Sequence, residues 1–177
     1  MIIKSSYISR INGLKWDIQY EELVDFESIR HLPVSAAGAL CFYGKELVLA
    51  YATKKDAWEM PGGSREGTET FEECIIREIK EETNMKVIEL FPLGYDTLTN
   101  PETGELIYQL RFAAKVEPYG PFIVDPDGDI SKIRLIDPND YKQYFDWGER
   151  SDQMMKKAIS KYLPVRPDTK RPPCRES

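Results

Sequence analysis

The sequence predicts an α/β fold in which helices lie on both faces of a mixed β-sheet. Two observations carry this prediction. Apolar segments of strand length recur along most of the chain and are separated by turns that contain glycine or proline. Two other segments have helical spacing, one at residues 70–84 and one at residues 150–163. We therefore expect a single α/β/α sandwich.

The composition is typical of a globular domain with a charged surface. The 177 residues are 41% hydrophobic and 31% charged, with a net charge of −6. This negative charge argues against nucleic acid as a partner. No stretch has the roughly 20 apolar residues of a membrane helix, and the first residues lack the apolar core of a signal peptide. We expect a cytoplasmic protein without a membrane partner.

The first half of the chain is predicted to consist mainly of strands. Residues 1–33 form an N-terminal extension with a strand near residues 15–20, which extends the sheet, covers the site or swaps across a dimer. Val34–Tyr43 and Glu46–Ala52 are two apolar segments. Gly44 and Lys45 lie between them and indicate a hairpin.

The second half is predicted to add three strands and two helices. The strands are residues 86–98, 105–116 and Ile130–Ile136, with a turn at 100–104 and a loop at 120–128. A short helix opens at Pro138, and the final helix, residues 150–163, is amphipathic. The domain therefore covers residues 34–163. Residues 164–177 are rich in proline and charge and are predicted to form a flexible tail.

Side chains suited to thiol or serine chemistry are few. Cys41, Cys74 and Cys174 are widely spaced, and the first two lie in predicted core elements. We expect these two to be buried, reduced thiols. His31 is the only histidine and is expected in an exposed loop.

The segment before residue 85 places three carboxylates on one face of a helix. Glu78 and Glu82 are four residues apart, and Glu81 lies beside them. Like charges at this spacing repel, so the pattern is typical either of a solvated face or of a cation site. Mg²⁺ binds carboxylates, water and substrate phosphates. The glycines of the preceding loop, Gly62 and Gly63, let the backbone approach a ligand closely and favour the cation site.

Both ends of this helix are indicated by the sequence. Thr70 and Glu73 fit a capping box at the start. Asn84 follows the last helical residues and tolerates the left-handed conformation that ends a helix. The apolar residues Phe71, Ile75 and Ile79 form a stripe beside the carboxylates. We expect this stripe to pack in the core.

The run from Gly63 to Met85 resembles the signature box of the Nudix hydrolase family, G-x5-E-x7-R-E-U-x-E-E-x-G-U, where U is a bulky aliphatic residue. The matching positions are Gly63, Glu69, Arg77, Glu78, Ile79, Glu81, Glu82 and Met85. Asn84 stands where the family has glycine. The order of the flanking elements also resembles the family, which implies the Nudix-type α/β/α sandwich.

The resemblance implies a role for each matched polar residue. Glu78 and Glu82 are the principal ligands of Mg²⁺ or Mn²⁺, and Glu81 is a further ligand. Either Glu81 or Glu78 is the catalytic residue that orients or deprotonates the attacking water. A backbone carbonyl of Gly62 or Gly63 completes the metal shell and contacts substrate. Glu69 and Arg77 are structural and pair with each other.

A carboxylate from a later loop often joins such a site as ligand or base. Asp125, Asp127 and Asp129 lie in one acidic turn before the strand Ile130–Ile136. Asp129 has the best position, although the turn is equally typical of a solvated loop. A calcium-binding EF-hand is excluded, because the twelve-residue ligand pattern that ends in glutamate is absent.

The expected reaction is hydrolysis of the pyrophosphate linkage in a nucleoside diphosphate linked to a group X. A nucleoside triphosphate, oxidised or not, is the first candidate. ADP-ribose or a sugar nucleotide is the alternative. Pro101 resembles the downstream proline of ADP-ribose-cleaving members, although a proline in an Asn-Pro turn needs no such explanation. Tyr95 is a candidate for stacking on the base, and Tyr108 shares that pattern, although aromatic residues in strands are more often core.

A rival from another class is a Nudix-fold nucleotide-binding module without turnover. Such modules usually lose box glutamates, and this chain retains all three. Similar proteins are frequently homodimers, so a homodimer is one expected assembly.

Overall fold

The computed structural model describes residues 1–123 and 125–163. The predicted tail, residues 164–177, and Cys174 lie outside this part of the chain. Within it the chain forms nine strands and two α-helices. In chain order they are β1 (Ile2–Ile8), β2 (Lys15–Glu22), β3 (Val34–Tyr43), β4 (Glu46–Ala52), β5 (Ala57–Glu59), β6 (Gly62–Ser64), α1 (Phe71–Thr83), β7 (Met85–Thr99), β8 (Leu106–Pro118), β9 (Ile130–Ile136) and α2 (Glu149–Tyr162).

All nine strands belong to one mixed sheet. Its main order is β1-β2-β7-β8-β3-β4-β5, while β6 pairs with β3 and β9 pairs with β4. The pairing of β3 with β8 is parallel, and β3 is antiparallel to β4 and β6. The predicted α/β class with a mixed sheet is confirmed.

The two helices cover opposite faces of the sheet, and the central strand β3 supplies side chains to both cores. Ala39 and Cys41 belong to the core beneath α1, together with Ile75 and Ile79 of that helix. The alternating residues Leu40 and Phe42 belong to a second core, which contains Met154, Met155 and Ala158 of α2. This alternation follows from the two-residue period of a strand.

Helix α1 begins and ends through side chains that the sequence specifies. Thr70 Oγ1 accepts a hydrogen bond from Glu73 N at 3.1 Å, and Glu73 Oε2 accepts one from Thr70 N at 2.8 Å. The helix ends at Asn84, which has the left-handed values φ 54° and ψ 38°. Asparagine tolerates this conformation better than most residues, so the helix keeps its cap without glycine.

The sequence locates most strands but does not predict β1. Strands β3, β4 and β9 have the predicted bounds. In β1 only Ile3 is buried, so the strand lacks the apolar alternation that indicates a half-buried strand. Residues 1–33 thus supply two strands at one edge of the sheet. Their separation as an extension of the domain remains a prediction.

Other sequence expectations concern single residues. Cys41 and Cys74 are buried free thiols, and burial raises the pKa of Cys74 to about 11. His31 is exposed. In the part of the chain that the structure describes, no helix is both long enough and apolar enough to span a membrane.

Candidate active site

Strand β6 holds the glycine loop directly against the carboxylates of α1. It pairs with β3, with Gly62 opposite Gly38. The Gly62 backbone N–H donates to Glu82 Oε2 at 2.8 Å. A Cβ atom placed on Gly63 would lie 2.6 Å from Glu78 Oε2, so a side chain there would displace that carboxylate. The loop and the two glutamates therefore form one compact unit.

Burial makes negative charge unfavourable on Glu78 and Glu82. Loss of hydration raises the pKa of Glu82 to about 8; the charge of Glu78 adds to this effect and the hydrogen bond from Gly62 opposes it. Burial also raises the pKa of Glu78, against the opposing influence of Arg77. A bound cation would offset both penalties.

Arg77 connects the loop before α1 to the carboxylates of the helix. Its Nε and Nη2 donate to the two carboxylate oxygens of Glu69 at 2.6 and 3.1 Å, and Nη2 also donates to Ser64 O at 2.9 Å. Its Nη1 donates to Glu78 and Glu81, each at 3.0 Å. These bonds lower the pKa of Glu69 and raise that of Arg77. Arg77 therefore fixes the orientation of both Glu78 and Glu81.

The acidic turn before β9 is ordered by its first aspartate. Asp125 is 3% exposed, and its carboxylate accepts hydrogen bonds from the backbone N–H groups of Asp127, Asp129 and Ile130. Asp129, the predicted ligand or base, forms an ion pair with Lys54. Its role remains a prediction. The charge of Asp127 adds to the effect of burial in raising the pKa of Glu78.

A cavity of about 590 Å³ lies on the other side of the glycine loop. Gly62 and Gly63 form part of its wall, and polar and aromatic side chains form the rest. They include Trp58, Gln109, Arg111, Tyr144, Trp147 and Arg150. Tyr95 is not among the residues that line this cavity; it packs against the core beneath α1, and its hydroxyl donates to Glu21 at 3.3 Å. Its predicted contact with substrate gains no support from this position.

The polar side chains of the cavity are the functional candidates that sequence reasoning missed. Arg111 lies between Leu110 and Phe112 in a strand whose neighbours are buried, and Asp96 is fully buried within β7. A charged residue within an otherwise apolar strand is the sequence feature that could have indicated these candidates. It does not identify the partner, because Arg150 is 54 residues away from Asp96 in sequence.

The donor set of the carboxylate cluster fits a hard divalent cation. Glu78 and Glu82 supply only oxygen atoms, and the backbone of Gly62 and Gly63 lies against them. Among the described residues, no group of three or more acidic, histidine or cysteine side chains forms a ready-made metal cage. Mg²⁺ is usually held by one or two carboxylates with water and substrate phosphates, so a complete protein cage is not required.

Replacing Gly63 by alanine tests whether the loop positions the Glu78 carboxylate. The added Cβ meets the flexible end of a side chain, so we expect Glu78 to move while the fold persists. Turnover should fall about tenfold or more, because small misplacements of reacting groups have effects of this size. The midpoint of thermal unfolding should change little.

Gly120→Ala is the matched control for this experiment, since a Cβ there has only an ordinary contact, 3.8 Å from Asn84 Nδ2. Steady-state kinetics and thermal unfolding of both variants provide the measurement. Equal activity of the Gly63 variant and the wild type would show that Glu78 is not held by this contact.

Comparisons with known proteins agree with this architecture. The family model described as NUDIX domain matches residues 32–158. No curated protein matches the chain. A mutant of the Bacillus subtilis pyrophosphohydrolase BsRppH has a similar structure, with a TM-score of 0.60 and 19% identity over 81% of this chain and 91% of that one.

Two further structures are similar at lower identity or coverage. The NUDIX domain of Shewanella oneidensis NrtR, complexed with ADP ribose, has a TM-score of 0.57 and 14% identity over 77% of this chain and 92% of that one. An Ap4A hydrolase from C. elegans has a TM-score of 0.50 and 21% identity over 70% and 96%. At these identities the structural likeness establishes the fold, and the family model matches most of the chain. This chain therefore belongs to the NUDIX family of hydrolases.

Proposed function

We propose that the protein hydrolyses the phosphate anhydride of a nucleoside diphosphate linked to a group X, with Mg²⁺ or Mn²⁺ as the cofactor. The observation that carries this proposal is the position of Glu78 and Glu82 against Gly62 and Gly63, two glycines that also form part of the wall of a cavity of about 590 Å³. Cavities of this size are typical of sites for small molecules and cofactors.

The exposure of the α1 glutamates suggests which of them bind the metal and which one activates water. Glu78 and Glu82 would hold the ion, and a bound divalent ion would neutralise phosphate oxygens and lower the pKa of a bound water. The Glu81 side chain is 29% exposed and that of Glu78 is 12% exposed, so Glu81 is the better placed to orient or deprotonate the attacking water. Asp129, which pairs with Lys54, is the second candidate base.

The aromatic wall of the cavity supports a substrate that contains a planar base. The rings of Trp58 and Tyr144 are perpendicular, with centroids 6.1 Å apart. Aromatic rings can stack on any nucleobase, because every base has a π face. A nucleoside triphosphate is the first candidate. ADP-ribose or a sugar nucleotide is the second candidate substrate. The complex of the similar NrtR domain with ADP ribose supports this candidate.

Product analysis tests the proposed reaction. The purified protein is incubated with Mg²⁺ or Mn²⁺ and a panel of nucleoside triphosphates, ADP-ribose, dinucleotides and sugar nucleotides. We expect a nucleoside monophosphate together with phosphorylated X, or with pyrophosphate when the substrate is a triphosphate. EDTA should stop the reaction. Binding without cleavage for every member of the panel would favour the nucleotide-binding module instead.

A further inference from the structure

Two arginines and one aspartate form a buried cluster at the cavity, and none of them belongs to the signature box. Asp96 of β7 is fully buried. Its Oδ2 accepts hydrogen bonds from Arg111 Nε of β8 at 2.8 Å and from Arg150 Nη1 of α2 at 2.9 Å. Two guanidinium groups therefore share one carboxylate, and the cluster carries a net positive charge.

Part of the hydrogen-bonding capacity of Arg150 is unused. The residue is 6% exposed, and its Nε has no hydrogen-bond partner among the described residues. A buried donor without a partner is costly unless a ligand or water satisfies it. Arg150 is also the second residue of α2, where the partial positive charge of the helix start adds to its own. A bound anion would accept a hydrogen bond from this free Nε–H group and would also neutralise part of the positive charge.

An indole ring orients the two guanidinium groups within the cavity. The Cζ atom of Arg150 lies 4.6 Å from the centroid of the Trp147 ring, and that of Arg111 lies 5.8 Å from it. Arg111 Nη2 also donates to Gln109 Oε1 at 2.6 Å. All four side chains line the cavity that Gly62 and Gly63 close at another part of its wall. The cluster is thus held in place before any ligand binds.

The sheet fixes the separation between this cluster and the glycine loop. Gly38 of β3 is paired with Gly62 on one side and with Arg111 on the other. Two strand spacings therefore separate Gly62 from Arg111, about 10 Å between their backbones. Gly38 has no side chain to obstruct the path; a Cβ there would lie 2.9 Å from Arg111 Nη1. One extended molecule can therefore contact both places.

We propose that Arg111 and Arg150 bind a second anionic group of the substrate, a phosphate or a carboxylate on the nucleoside or on X, beyond the two phosphates that hydrolysis separates. This proposal rests on the proposed function and defines its substrate class. A nucleoside triphosphate satisfies it with its third phosphate. Guanidinium groups suit this role because they remain charged when buried and bind oxyanions through paired N–H groups. A purely structural cluster is the alternative.

Matched pairs of diphosphates test the proposal, because the members of each pair differ only in the distal group. NADPH and coenzyme A carry an extra phosphate relative to NADH and dephospho-coenzyme A. UDP-glucuronate carries a carboxylate where UDP-glucose carries a hydroxymethyl group. In at least one pair the wild type should have a kcat/KM about tenfold or more higher for the anionic member, the size expected for a charge-assisted hydrogen bond.

Arg150→Met should reduce that ratio about tenfold while it changes kcat/KM for the neutral member much less. Arg150→Lys keeps the charge beside Asp96 and should retain part of the ratio, which guards against loss of folding as the cause. Arg30→Met is the matched control, since Arg30 is an exposed arginine that pairs with Glu27 and Glu72. A preference for the phosphate pairs identifies a phosphate, and a preference for UDP-glucuronate identifies a carboxylate.

Calorimetric binding by the Glu82→Gln variant separates this proposal from the proposed function. If no pair is hydrolysed but the anionic member still binds about tenfold tighter, and Arg150→Met in that background removes the difference, the anion site stands and hydrolysis fails. Equal binding and equal turnover within every pair would overturn the anion site. So would a ratio that Arg150→Met leaves unchanged.

Discussion

Replacing Glu82 by glutamine is expected to lower kcat/KM at least about a hundredfold without loss of the fold. Loss of a metal ligand removes several kcal/mol of charge stabilisation, and each 1.36 kcal/mol is about tenfold in rate. Glutamine has the same shape, and its carbonyl oxygen can still accept the hydrogen bond from Gly62 N. Initial rates at saturating and limiting substrate, with Mg²⁺ titrated for each variant, provide the measurement.

The same substitution is expected to stabilise the metal-free protein at neutral pH. Burial raises the Glu82 pKa from 4.5 to about 8, so the folded state disfavours the charged form. The free energy of unfolding of the metal-free wild type should therefore decrease as the pH rises from about 4.5 to about 8, and the variant should lack this contribution. At pH 8 the gain should be on the order of a few kcal/mol.

Glu72→Gln is the matched control for both effects, because Glu72 lies on the same helix with a side chain that is 40% exposed. It should leave both rate and stability nearly unchanged. Full turnover by Glu82→Gln would remove Glu82 from the proposed metal site. Lower stability of that variant in EDTA at pH 8 would contradict the account of its buried charge.

The sequence predicts those features of the site that depend on neighbours along the chain. The capping pair Thr70 and Glu73, the left-handed Asn84 and the shared face of Glu78 and Glu82 follow from helical geometry over a few residues. The resemblance to the Nudix box also covers this segment. Local geometry and the motif therefore lead to the same helix, with the same bounds to within a residue or two.

The rest of the site depends on strand pairing over long separations, which one sequence does not encode in a legible way. Gly62 reaches Arg111 only through Gly38, on three strands that are far apart in sequence. The acidic turn illustrates the same limit. Its composition indicates a polar site, but only the fold reveals that Asp125 orders the turn by accepting hydrogen bonds from three backbone N–H groups.

Replacing Arg77 by methionine is expected to lower the free energy of unfolding by about 2 kcal/mol or more in the absence of metal. Arg77 is 19% exposed in its side chain, and its loss leaves Glu69, Glu78 and Glu81 without their shared cation. Removing one partner of a largely buried ion pair is strongly destabilising, because the remaining charge is uncompensated. Urea unfolding of the wild type, Arg77→Met and Arg77→Lys provides the measurement.

Divalent metal should distinguish two functions of Arg77: it binds Glu69 of the preceding loop, and it neutralises carboxylates of α1. Arg77 neutralises Glu78 and Glu81, the same carboxylates that we propose to contact the ion and the attacking water. Mg²⁺ should therefore stabilise Arg77→Met more than it stabilises the wild type, while the Glu69 contact stays lost. The double variant Glu69→Gln/Arg77→Met should be less destabilised than the sum of the single variants, since removing both partners leaves no unpaired charge at that contact. Additive losses with no added effect of Mg²⁺ would show that the contacts of Arg77 contribute little to holding this site together.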